Sequence, residues 1–206
     1  MSKQYTSTPE IVSYGIGRQM GRQLANDPFE GMVAKIVAQG LMDSLEGVES
    51  PLSNQVIGEA FQEIQDIMAK KQEASSKAAE EDGKKFLTEN AKKEGVIVTK
   101  SGLQYEILTE GSGKKPNAED TVSTHYHGTL VDGTVFDSSI ERGQPAEFPV
   151  NRVIAGWTEA LQLMPVGSKW RLTIPQDLAY GEQGSGGQIA PFSTLILEVE
   201  RMEIVT

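Results

Sequence analysis

The sequence predicts an α+β protein in two parts, a helical N-terminal segment and a C-terminal antiparallel sheet wrapped on one short helix. Three observations carry this expectation. Apolar residues recur at helical spacing up to about Gly95 and at a period of two beyond it. A stretch of about 40 residues from Ser53 holds no proline and can form a single long helix. Turn-forming clusters of glycine, aspartate and proline then divide the remainder into short strands.

Composition bounds the rest. At 206 residues and 38% hydrophobic content, the chain can bury one ordinary core and carry an accessory element. The absence of cysteine removes disulfides, thiolate metal sites and thiol chemistry. A formal charge of −10, negative in both halves, leaves neither with the positive surface that nucleic acid requires. The opening residues MSKQYTSTPEIVSYGIG lack a basic stretch followed by an apolar one, and no run approaches the roughly 18 apolar residues of a membrane span. A cytoplasmic protein with neither nucleic acid nor membrane among its partners is expected.

Thr8-Pro9-Glu10 reads as a helix start, with Thr8 as cap and Pro9 at the first helical position. Ile11, Val12, Ile16, Met20 and Leu24 give that helix its apolar spacing. Asp27-Pro28-Phe29-Glu30 repeats the signal, and a second stripe from Met32 to Leu45 ends at Gly47, so a helical hairpin with a connection of two or three residues is expected. Gly15, Gly17 and Gly21 resemble a nucleotide fingerprint only loosely, because no strand precedes them; they suit close helix packing better. The third helix, from near Ser53 to before Gly95, would be roughly 60 Å long. Its first part has a packing face of Val56, Ile57, Ala60, Phe61, Ile64, Ile67 and Met68, whereas residues 70–85 are almost all charged or small and read as a solvated strut in which Gly83 is a bend or is tolerated.

Two short helices and one amphipathic segment make a marginal core, which pairing with a second copy of the chain would complete. Residues 1–70 are therefore expected to form a helical dimerisation domain, residues 71–94 the linker part of the long helix, and residues 95–206 the sheet domain. A monomeric three-helix bundle is the alternative.

Beyond Gly95, Leu103, Tyr105 and Ile107 alternate with polar residues, as do Val122, Thr124, Tyr126 and Leu130, then Trp170, Leu172 and Ile174, then Leu195, Leu197 and Val199. Gly111-Ser112-Gly113, Asp132-Gly133 and Gly143-Gln144-Pro145 supply turns, and one short helix fits from about Gly156 to Leu163 before Pro165 and Gly167.

The chemistry-bearing residues are few. His125 and His127 share one strand face, opposite Tyr126, and read as solvent-facing because no third ligand accompanies them to hold a metal. No serine sits in a nucleophile elbow, and GEQGSGG precedes no helix that would bind phosphate, so it reads as a mobile loop. Tyr126, Phe136, Phe148, Val153, Ile154, Trp157, Tyr180, Ile189 and Leu197 are buriable residues gathered around the turns, with Asp137 directly after Phe136. A plain core is the alternative, but a carboxylate beside Phe136, a tyrosine just before a glycine loop and a tryptophan at a helix start describe an apolar pocket with a carboxylate at its edge.

The motifs HYHGTLVDGTVFDSS, AEFPVNRVIAGWTEALQLMPVGSKWRLTIP, LAYGEQGSGG and APFSTLILEVE, in this order between about Gly102 and Ile204, resemble the FKBP-type peptidyl-prolyl cis-trans isomerases. With helices and a long linker in front, the arrangement is similar to the dimeric bacterial group that includes the macrophage infectivity potentiator (Mip-like) proteins. The resemblance implies a V-shaped homodimer joined through its N-terminal helices and an isomerase without cofactor or metal. Its partners would be proline-containing peptides, unfolded proteins and macrolide inhibitors. It places catalytic roles on Tyr126, Phe136, Asp137, Ile154, Trp157 and Tyr180, and substrate or inhibitor contacts on Arg142, Phe148, Val153, Ile189 and Leu197. In that pattern Trp157 forms the floor beneath the proline ring, the Ile154 N–H and the Tyr180 hydroxyl donate to ligand carbonyls, and Arg142 accompanies Asp137. Ala146, Gln188 and Leu197 depart from the commonest pattern and should loosen the pocket.

Isomerisation asks for no covalent catalyst. The barrier of about 18–20 kcal/mol is lost amide resonance, and a dry pocket that fits the twisted amide better than the planar one lowers it. The reading from another class is a chaperone-like proline-binding dimer with incidental isomerisation.

Overall fold

The computed structural model describes residues 5–26 and 28–205, without the side chains at positions 201 and 202. The chain divides into two compact units between Lys70 and Lys71, within the third helix.

The first unit holds α1 (Thr8–Asn26), α2 (Ala34–Glu46) and the beginning of α3 (Asn54–Asn90). Its N-terminal cap is one residue earlier than the sequence suggested: the Ser7 N–H and hydroxyl donate to Glu10 Oε2 at 3.0 and 2.9 Å, and Ile11 N donates to Ser7 O. The second start signal does not begin a helix. Phe29 to Met32 instead close a turn, with Met32 N donating to Phe29 O and Gly31 at φ 87, a left-handed conformation that glycine adopts without strain. Residues 27–33 therefore separate the helices, not two or three residues, and Asp27 itself lies outside the described residues. Gly47 caps α2 as expected, left-handed at φ 72. No apolar side chain described in residues 5–70 is buried: Ile36 is 67% exposed, Phe61 63% and Leu45 80%. Gly15, Gly17 and Gly21 have open space above them.

The second unit contains the end of α3 and seven strands: β1 (Val96–Val98), β2 (Gln104–Thr109), β3 (Thr121–Leu130), β4 (Val135–Ser138), β5 (Ala146–Pro149), β6 (Lys169–Ile174) and β7 (Leu195–Val205). They form one antiparallel sheet in the order β1-β2-β6-β7-β3-β4, with β5 also paired to β3. One helix, α4 (Ala155–Leu163), buries Gly156, Trp157, Ala160 and Leu161. Around them lie Leu103, Val122, Val150, Met164, Leu172, Ile174, Leu195 and Val199, each at most 1% exposed. This is the fold class the two hydrophobic periods predicted.

Residues 71–90 are not solvated on all sides. Ser76, Ala79, Gly83, Leu87 and Asn90 recur every three or four residues on one helical face and are buried or half-buried. Asn90 Nδ2 donates to Gln104 Oε1 at 2.9 Å, and Gln104 Nε2 donates back to Leu87 O at 2.9 Å. Gly83 lies against Thr194. The charged residues face water, where Lys77–Glu73 and Lys84–Glu80 pair one turn apart. Small side chains let the helix backbone approach the sheet, so a sequence that reads as a polar strut is also a docking face.

Candidate functional site

β3 is paired to β7 throughout, to β5 at its start and to β4 toward its end, so three neighbours fix its side chains. Gly128 stands opposite Asp137 of β4 and Leu197 of β7. The missing side chain at Gly128 makes room for Phe136, since a Cβ there would stand 2.6 Å from Phe136 Cζ. Two residues earlier and on the same face, Tyr126 meets Trp157 of α4 edge-on at 5.0 Å, and Phe148 of β5 leans on Trp157 at 4.8 Å.

The rings of Tyr126, Phe136 and Trp157 border a cavity of about 390 Å³. Eight of the residues expected at the site line it: Tyr126, Phe136, Asp137, Val153, Ile154, Trp157, Tyr180 and Leu197. Three do not. Phe148 supports Trp157 from behind, Arg142 holds Asp137, and Ile189 packs into the core at 7% exposure. Arg152 and Leu195 line the cavity although the sequence reading missed them. Leu195 was legible as the inward strand neighbour of Leu197; Arg152 gave no signal, because a lone arginine in a loop looks like surface. Among the three departing positions, only Leu197 borders the cavity. Ala146 packs against the core from β5, and Gln188 lines a separate cleft with Ala78, Ala79 and Asp82 of α3.

Asp137 is the cavity's one carboxylate. The Tyr126 hydroxyl donates to its Oδ2, Arg142 donates to its Oδ1, and Arg142 Nη2 donates to the Tyr126 oxygen at 2.8 Å. Partial burial pushes the Asp137 carboxyl up, but the hydrogen bonds from Tyr126 and Arg142 and the guanidinium charge outweigh it and hold the carboxyl below its ordinary value. Burial and the bond to Asp137 push the Tyr126 phenol up, Arg142 offsetting part of the effect, so the phenol stays protonated and donates. Each side chain of this trio is hydrogen-bonded to the other two.

Two donors at the cavity are unused. The Ile154 N–H precedes α4 and, among the described residues, has no acceptor, while the Ile154 carbonyl accepts from Trp157 N and Thr158 N. The Tyr180 hydroxyl, on a residue 40% exposed, also has no hydrogen-bond partner among the described residues. Nearby, Phe192 at φ 63 donates to Gly181 O at 2.9 Å, and Ser185 and Ile189 exchange two backbone hydrogen bonds. The glycine-rich loop is thus a fastened hairpin and not a free one.

The histidines lie on the other face of β3, half-buried. His125 Nδ1 meets Ser139 Oγ at 3.2 Å and His127 Nδ1 meets Ser138 Oγ at 3.0 Å, so they brace the end of β4 and are only partly open to solvent. Among the described residues no group of three histidines, aspartates or glutamates could hold a metal ion.

A sheet wrapped on one helix, enclosing an aromatic cavity whose free polar groups are donors, defines a protein that acts on its ligand by enclosure. The family model described as FKBP-type peptidyl-prolyl cis-trans isomerase matches residues 112–201, and the domain amino-terminal to that isomerase matches residues 9–107. The chain is 53% identical to the FKBP-type 22 kDa peptidyl-prolyl cis-trans isomerase of Escherichia coli K12 over 94% of both chains. It is 42% identical to the Outer membrane protein MIP of Legionella longbeachae, over 97% of this chain and 87% of that one. The crystal structure of FkpA from Escherichia coli matches it with a TM-score of 0.68 at 33% identity, covering 98% of each chain. The chain belongs to the FKBP-type peptidyl-prolyl cis-trans isomerases, with the helical amino-terminal domain of that family, and is an isomerase. The chaperone-like alternative, with isomerisation incidental, is not favoured by relatives named for the enzyme activity.

Proposed function

We propose that the chain isomerises X-Pro bonds in the 390 Å³ cavity, with the proline ring on Trp157 and walls of Tyr126, Phe136, Val153 and Leu197. The observation that carries this is the pairing of an apolar enclosure with two free donors, Ile154 N–H and Tyr180 OH, and a carboxylate whose hydrogen bonds are made within the protein. The donors hold the carbonyls flanking the bond. The dry walls disfavour the planar, more polar amide, so the twisted form binds better and the barrier of about 18–20 kcal/mol falls. Asp137 moves no proton; paired with Arg142, it fixes the Tyr126 wall at the rim. Phe148 and Arg142 act behind the cavity by holding Trp157 and Asp137, and Ile189 by anchoring the loop beside Tyr180. Macrolide inhibitors would occupy the same cavity.

The test is acceleration of cis-to-trans conversion in a proline tetrapeptide, with loss in Asp137→Ala and Phe136→Ala proteins that remain folded. A folded wild-type protein that leaves the uncatalysed rate unchanged would reject the assignment of this cavity.

The first unit is proposed to pair with a second copy. The support is the exposure of Ile11, Ile16, Ile36, Leu45 and Phe61, with no buried apolar side chain among the described residues of that unit. The paired helices would give unfolded chains two catalytic sites in one particle, raising local concentration. A cytoplasmic location belongs to the same proposal on the sequence reading alone. Recovery of the protein in an outer-membrane fraction, the place in the Legionella relative's name, would overturn it.

A further inference from the structure

Arg152 ends the 3-10 turn Val150–Arg152, and the turn is firmly held. Val150 is fully buried, its N–H donates to Asp120 O at 2.9 Å, its carbonyl accepts from Thr158 Oγ1 at 2.7 Å, and Asn151 N donates to Ala118 O at 3.1 Å. The exposed Arg152 side chain therefore starts from a fixed base at the cavity wall, directly before Val153 and the free N–H of Ile154. The cavity is lined by two charged residues, Arg152 and Asp137. Asp137 is neutralised by Arg142, whereas Arg152 makes no ion pair or side-chain hydrogen bond among the described residues. In a chain of net charge −10, the one uncompensated charge at the cavity is thus positive.

We infer that Arg152 is a specificity-determining residue that selects proline segments carrying an acidic side chain next to the proline. This rests on the proposed isomerase cavity and names its substrate class. A guanidinium offers a planar fork of donors that matches a carboxylate, and its weak hydration makes it the better partner for one at a partly dry rim. Because Arg152 is exposed, the preference is modest, about 1.5- to 5-fold in kcat/KM, and falls as salt screens the pair.

The test uses the full chain and two tetrapeptide series, Ala-Xaa-Pro-Phe and Ala-Leu-Pro-Xaa, with Xaa as Glu, Gln or Lys. The wild type is expected to favour Glu over Lys in at least one series at low ionic strength and to lose the preference at high ionic strength. Arg152→Lys retains the order, Arg152→Gln abolishes it, and Arg152→Glu reverses it. A Glu-to-Lys ratio equal in the wild type and in Arg152→Glu overturns the inference while turnover of the Gln peptides leaves the isomerase cavity standing. Absence of acceleration for every peptide, the Gln peptides included, removes the cavity assignment and this inference with it.

Discussion

A Cβ added to Gly83 of α3 would stand 2.5 Å from Thr194 Oγ1 and 3.2 Å from Thr194 Cβ, closer than non-bonded atoms tolerate. On an exposed helix, Gly83→Ala would stabilise by up to about 1 kcal/mol through helix propensity. Here the sign reverses. The substitution is expected to destabilise residues 71–206 by about 1–3 kcal/mol through overpacking, and Thr194→Ala in the same chain should recover part of the loss. Both tryptophans, Trp157 and Trp170, belong to this unit, so fluorescence during urea unfolding reads it alone. An increase in stability for Gly83→Ala would mean that the helix is not docked there in solution.

The hydrogen-bonded trio sets the pH behaviour. Asp137 has a folded value below the ordinary carboxylate value of about 4, so its contribution to stability is complete above that value and is lost as pH falls through the lower folded one. Peptide kcat/KM should therefore have an acid limb below about pH 4. Arg142→Gln removes a donor and a positive charge, and should move that limb to higher pH. An unmoved limb would show that Asp137 is not the titrating group.

Leu197 borders the cavity at 2% exposure, across β3 from Asp137. Leu197→Phe would extend the wall into the 390 Å³ space, where there is room, so the stability change should stay below about 1.5 kcal/mol. Macrolide binding, followed by quenching of Trp157 fluorescence, is expected to tighten about 10-fold or less, as one to two added methylene equivalents of contact allow. Equal binding by both proteins would leave the looser pocket without consequence.

Ile36 and Leu45 of α2 are 67% and 80% exposed within the chain. In a monomer, Ile36→Asp would change stability by no more than about 0.5 kcal/mol. If the helices pair with a second copy, the substitution buries a charge and should shift sedimentation toward the monomer, as should removal of residues 1–70. A monomeric wild-type chain at micromolar concentration would refute the pairing.

The two periods, the proline-free third helix and the turn clusters carried the fold class, because each is a local consequence of side-chain direction. What stayed hidden was non-local. Nothing in residues 70–85 announces that Ser76, Ala79 and Gly83 face a surface, because small residues are equally at home in water and at close backbone contacts. The delayed start of α2 escaped because the strong cap signal at Asp27 preceded Gly31, whose left-handed backbone decides where the helix begins. At the site, the aromatic residues were legible from their buriable character and the family resemblance. Arg152 was not, since its importance comes from lying beside a cavity assembled by β3, β4, α4 and β7.

β3 is hydrogen-bonded along its whole length to β7, which is synthesised after every other wall of the cavity. As the chain is synthesised, the sheet therefore stays open-edged, without the seat of Leu195 and Leu197, until β7 is made, and closure needs a pairing of high sequence separation, the slow kind. A catalyst of other chains' folding thus acquires its own active cavity at the end of its own folding. Pulse-labelled hydrogen exchange should register the amides of β3 and β7 becoming protected together.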